Sequence, residues 1–175
     1  MIYHDIERIV NNIIEENNIS EAPVNIEKIC QYYDIIIEPI DAEDNLSGFF
    51  LVNDKKLKII GYNKNHSDNR KRFTIAHEFG HFQLHLQSAQ KFFIDNNTKF
   101  FRNEKSSSGE LKQEREANAF AAALLMPIPL LEKELDRIDE TKDIDSVVTR
   151  LSLAFLVSEE SMKYRLINLG VIDPS

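Results

Sequence analysis

The chain has 175 residues, 42% of them apolar and 29% charged, with five glycines and five prolines, a composition that excludes fibrous, collagen-like and low-complexity architectures. Its formal charge is −8 and its only cysteine is Cys30. The charge repels phosphate and anionic lipid, so direct nucleic-acid binding is not expected. The single thiol excludes an intramolecular disulfide and any zinc cluster that needs two thiolates from one chain, and a reducing, cytoplasmic setting is the expectation.

The opening residues carry an early acidic side chain and no apolar run long enough for a signal or spanning segment, so neither secretion nor a membrane location is expected. Ile2, Ile6, Ile9, Val10, Ile13 and Ile14 recur at steps of three and four and predict a first helix over residues 2–16. Beyond the break at residues 20–23, Val24, Ile26, Ile29 and Tyr33 predict a short second helix, and Ile35-Ile36-Ile37 a strand stopped by Pro39. Residues 48–52 and 57–62 flank the polar connection Asn53-Asp54-Lys55-Lys56, which predicts a hairpin in a small antiparallel sheet.

Ser67-Asp68-Asn69 offers capping side chains before a long helical pattern that runs to about Gln87. Ser107-x-x-Glu110 reads as a capping box, and Ala117, Phe120, Ala121, Leu124 and Leu125 continue at helix period to Pro127. The long, polar-tipped segment 88–109 between these helices is expected to be an irregular loop or lid. From Pro129 onward the pattern is helical, with a break at residues 139–143, a Ser158 cap and Gly170 as the residue past the last helix. The expected class is α+β: a mainly helical core over residues 1–128 with a small antiparallel sheet, and a C-terminal helical extension over 129–175 packed on it.

Residues 77–81 read His77-Glu78-Phe79-Gly80-His81, the two-histidine, one-glutamate pattern of zinc hydrolases. With five histidines and seventeen glutamates in the chain, about 0.01 such matches arise by chance. Residues four apart on a helix are displaced by about 40° and 6 Å, so both imidazoles can converge on one ion while Glu78 reaches a bound water. A catalytic zinc needs a third protein ligand and one position left for water. His85 continues the ladder but sits about 12 Å along the helix from His77, too far to share the ion. Its role would be to support the site or touch substrate.

A carboxylate from the helix over 110–126 suits the third position, and Glu114 lies closer to that helix's apolar face than Glu116 does. Asn118, one turn on, can accept the N–H of a ligating histidine and fix its tautomer. His85, His66, Tyr62 and Arg72 are candidate donors to an oxyanion. Arg70-Lys71-Arg72 reads as a solvated basic edge, and Cys30 as a small core residue.

Arg72-Phe73-Thr74-Ile75-Ala76-His77-Glu78-Phe79-Gly80-His81 and the stretch Glu114-Arg115-Glu116-Ala117-Asn118 through Met126-Pro127 together resemble the ImmA/IrrE family of metallopeptidases. The resemblance extends to the N-terminal helices and to residues 154–170. It implies a gluzincin-like zinc endopeptidase in which His77, His81 and the glutamate of Glu-x-x-x-Asn, here Glu114, hold Zn2+ and Glu78 is the catalytic base. It further implies a protein substrate, a helix-turn-helix repressor or antitoxin of a mobile element or stress response. The alternative is a zinc-containing module that sequesters such a repressor without hydrolysing it. Residues 147–170 resemble a helix-turn-helix, but Arg150, Lys163 and Arg165 are offset by Glu159 and Glu160, so packing on the core or on a partner protein is expected rather than DNA binding.

Overall fold

The computed structural model describes residues 3–53, 55–85, 93–96, 107–138 and 143–173. The first helix, α1, spans Tyr3–Glu16 and buries Ile6, Val10, Ile13 and Ile14, the apolar stripe seen in the sequence. The short α2, Ile26–Tyr32, starts where Asn25 accepts a hydrogen bond from the Lys28 backbone at 2.9 Å. Three strands follow: β1 over Ile35–Ile40, β2 over Leu46–Val52 and β3 over Lys58–Asn63. The β2–β3 hairpin is closed by Asn53, whose side-chain oxygen accepts from the Lys55 and Leu57 backbone at 3.0 and 2.9 Å.

The sheet is mixed rather than antiparallel. β2 and β3 pair antiparallel as the hairpin requires, but β1 lies on the far side of β3 and runs parallel to it. Asn63 ties this crossing down: its amide nitrogen donates to the carbonyl oxygens of Ala42, Glu43 and Leu46 at 2.9–3.1 Å, where the chain passes from β1 to β2. A fourth strand, β4 over Phe93–Asn96, pairs antiparallel with β2, so the order is β1-β3-β2-β4. It falls within the segment 88–109 expected to be irregular, of which 88–92 and 97–106 lie outside the described residues and 107–109 begin the next helix.

The long helix α3, Asp68–His85, crosses the sheet. Eight successive residues, 74 to 81, are buried, so it has no solvated face over that stretch and is enclosed by the sheet and by α4, Ser107–Leu125. The side chains of the expected capping box, Ser107 and Glu110, lie outside the described residues. Gly80 permits the close approach of the two helices, since a Cβ there would stand 3.1 Å from Phe120 and 3.3 Å from the Ala117 backbone. Phe79 and Phe120 pack with ring centroids 5.9 Å apart, and Phe50 reaches Phe82 from the sheet at 5.7 Å.

Among the described residues three more helices follow: α5 over Ile128–Leu135, α6 over Ile144–Phe155 and α7 over Glu159–Asn168. α6 ends on Leu156 in the left-handed region, Ser158 caps α7 by accepting from the Ser161 backbone, and Gly170 follows α7 with φ +71°. Leu131, Leu151, Phe155, Met162 and Leu166 join the same buried cluster as α1, α3 and α4. Arg165 ties α7 to this core through a two-pronged ion pair with Glu7 at 2.5 and 3.0 Å and a hydrogen bond to the Met126 carbonyl. Among the described residues no helix is long and apolar enough to cross a membrane.

Candidate metal centre

Burial of α3 over 74–81 carries both motif histidines into the interior, where His77 is 3% and His81 1% exposed. Their rings meet edge to face with centroids 4.7 Å apart and Nε2 atoms 3.0 Å apart. α4 supplies the third group: Glu114 Oε2 lies 3.2 Å from His77 Nε2, and Oε1 3.2 Å from His81 Nε2. Three ligand atoms on a tetrahedral ion with bonds near 2.0–2.2 Å stand about 3.3–3.5 Å apart. The observed triangle is within a few tenths of an ångström of that size, and the donor set, two imidazoles and one carboxylate, can hold a divalent metal ion.

The tautomer of His77 is also set. Its Nδ1–H donates to Asn118 Oδ1 at 2.9 Å, leaving the Nε2 lone pair directed at the centre. Burial by itself raises the pKa of Glu114, but with the rings protonated and no metal between them, the Nε2–H groups and charge of His77 and His81 outweigh it and bring the carboxyl down to about 2; a bound ion would take the place of those protons. Glu114 is thus a carboxylate throughout the physiological range, as a ligand must be.

Glu78 follows His77 on α3 and is fully buried. It lies where β2 presses on the helix at Gly48: a Cβ on Gly48 would stand 3.7 Å from Glu78 Cγ, 2.4 Å from Thr74 Cγ2 and 2.7 Å from the Gly61 carbonyl. The sheet reaches the helix here because residue 48 has no side chain. Neither Gly48 nor Gly80 was singled out from the sequence. A glycine inside a helix pattern, between Phe79 and His81, is the signal that could have flagged the second.

Three expectations need correction. Glu114 was placed nearer the core than Glu116, yet the Glu116 side chain is 11% exposed and that of Glu114 30%. α4 packs against α1 as well as α3, so one apolar face does not describe it. Glu116 approaches His85, with Oε2 3.8 Å from Nε2. Arg72 is not available to an oxyanion: its guanidinium donates to the Val24 and Leu156 carbonyls at 3.0 and 3.3 Å and staples α3 to two loops. His85 Nε2–H likewise donates to the Gln113 carbonyl at 3.3 Å, on the α4 side of the helix. His66 is buried beside Asn63, and Tyr62 is half-buried on β3 opposite Gly48. Burial pushes the Cys30 thiol up to about 12, with Glu27 adding to the effect, so it is an inert core group.

A helix carrying two histidines over a mixed sheet, with a glutamate delivered from the next long helix, defines a metallopeptidase-like α+β domain. Residues 30–167 match the peptidase family M78, described as an IrrE N-terminal-like domain. The chain belongs to this ImmA/IrrE family. It is 33% identical over 100 residues to an uncharacterized immunity region protein 2 of Bacillus phage phi105, a match covering 57% of each chain. Among solved structures it is similar to a Mycobacterium tuberculosis transcriptional regulator, with a TM-score of 0.65, 17% identity and coverage of 94% of this chain and 46% of that one. The chain therefore spans about half the length of these relatives.

Proposed function

We propose that this protein is a zinc-dependent endopeptidase that cleaves a regulatory protein, a helix-turn-helix repressor or antitoxin. The observation that carries the reading is the ligand triangle of His77, His81 and Glu114 with the fully buried Glu78 next to it on the helix. In this reading His77, His81 and Glu114 hold Zn2+ and Glu78 is the catalytic base. When bound, the ion would polarise a water and the scissile carbonyl. Glu78 accepts a proton from the attacking water and returns it to the departing amine nitrogen. Asn118 keeps His77 in the ligating tautomer, and Gly48 keeps the sheet close enough to shelter Glu78 from bulk solvent.

The name of the phage relative, an immunity region protein, supports a regulator as the partner. A repressor bound to DNA would be met in the cytoplasm. Residues 129–175, with α5–α7, are assigned to an extension on the core 1–128 that meets the partner rather than DNA.

The test is coexpression with a helix-turn-helix repressor encoded in the adjacent reading frame. Wild-type protein is expected to cleave it, whereas Glu78→Gln protein retains one zinc per chain and leaves it intact. Equal loss of repressor function with both proteins, and no cleavage product from either, favours sequestration instead.

A further inference from the structure

Beside the metal centre, α4 presents a second face to α1 and α7, and a trench runs along it. It consists of two adjoining hollows, ≈ 210 and ≈ 520 Å³, that share Tyr3, Arg115 and Ala119. The larger is within the size range of peptide and ligand sites. Both ends adjoin residues of the centre's surroundings: Glu116, which approaches His85, lines the smaller hollow, and Asn118, which holds His77, lines the larger.

The charges in the trench are unbalanced. Arg165 is matched by Glu7, and Lys112 lies 4.0 Å from Glu116. Arg115 is exposed and common to both hollows, and among the described residues it has no ion pair or hydrogen bond. A cation without a partner, on a chain of net charge −8, with apolar surface from Tyr3, Ala119, Ala122 and Leu169 around it, is complementary to a carboxylate flanked by apolar side chains.

We propose that this trench is an exosite: it binds a segment of the protein substrate in which an aspartate or glutamate pairs with Arg115 and neighbouring apolar residues lie against Ala119, Ala122 and Leu169. The proposal rests on the peptidase reading for calling the bound segment substrate. Arg115 lies one residue past Glu114, about 100° round α4 from it, and lines the hollows rather than belonging to the ligand group, so its pairing adds binding energy without contact with the reacting atoms. It would lower KM and leave kcat unchanged.

The experiment uses two pools of fluorescein-labelled 12-residue peptides, neutral apart from one central position that is Glu in one pool and Gln in the other. Binding is read by anisotropy against zinc-loaded Glu78→Gln protein, and cleavage against zinc-loaded wild type. The Glu pool is expected to bind about fivefold tighter, the effect of one partly exposed ion pair. Arg115→Ala, made in the Glu78→Gln background, should abolish that preference without weakening the Gln pool. Ala122→Trp, which fills the larger hollow, should weaken both pools while the unfolding midpoint stays in place. Equal binding of the two pools overturns the proposal, as does a Glu preference that survives Arg115→Ala, which would place the carboxylate on the metal. If the preference appears as expected but wild-type protein cleaves neither pool nor a repressor, the peptidase reading fails and the trench stands as a docking site. Cleavage without preference sinks the trench alone.

Discussion

Gly80 offers a way to separate stability from metal binding. A methyl group at this position would stand 3.1 Å from Phe120 Cδ1 and 3.3 Å from Ala117 Cα and O, against an optimum carbon contact of about 3.5–4.0 Å. Two of those three atoms belong to the α4 backbone, so relief requires α4 to retreat by about 0.3–0.5 Å. Glu114 sits one turn before Ala117 on that helix, and metal–ligand distances tolerate only about ±0.2 Å. Replacing glycine by alanine inside a helix meanwhile stabilises it by about 1 kcal/mol, close to the overpacking cost of about 1 kcal/mol. Gly80→Ala should therefore leave the unfolding free energy of the metal-free protein within about 1 kcal/mol of wild type and weaken zinc about tenfold. Gly80→Leu, whose branches cannot fit, should destabilise the fold by about 3 kcal/mol or more. Denaturant unfolding of the metal-free protein and zinc competition against a chromophoric chelator measure the two quantities. Zinc affinity equal to wild type in a well-folded Gly80→Ala protein would refute the claim that helix spacing sets the centre.

Metal analysis of alanine variants checks the third ligand: Glu114→Ala should lose the metal and Glu116→Ala should keep it, while full retention by Glu114→Ala overturns the assignment. Asn118→Ala should lower zinc affinity about 10- to 100-fold by releasing the His77 tautomer; an unchanged dissociation constant removes Asn118 from the centre's support. The raised pKa of Cys30 makes stability depend on alkali. The folded thiol, held up to about 12, stays protonated where the unfolded one ionises, so its contribution is complete below about pH 9 and is lost as pH rises toward 12. By pH 11 the loss should be about 2–3 kcal/mol. Comparing the pH dependence of unfolding in wild type and Cys30→Ala isolates it, and identical slopes from pH 8 to 11 would contradict the burial argument.

What the sequence determined by itself was whatever depends on neighbours within one helical turn. The convergence of His77 and His81 follows from the 3.6-residue period, and the Ser158 cap and the glycine past α7 from the unpaired backbone groups at a helix's two ends. Asn118 was legible for the same reason, as the residue one turn from Glu114, although its partner His77 is 41 residues away in the chain. Tertiary structure decided the rest. β1 lies parallel to β3, and Asn63 holds the crossing loop between β1 and β2, a contact that no strand pattern encodes. Glu114 and Glu116 stand two residues apart on one helix, and what separates them is the part of α3 each meets: one carboxylate meets two imidazoles and the other approaches His85. Arg72 read as a free cation because the carbonyls that hold it come from loops far along the chain. A periodicity fixes the direction of a side chain about its own axis, but only the packing of separate elements fixes what stands in that direction.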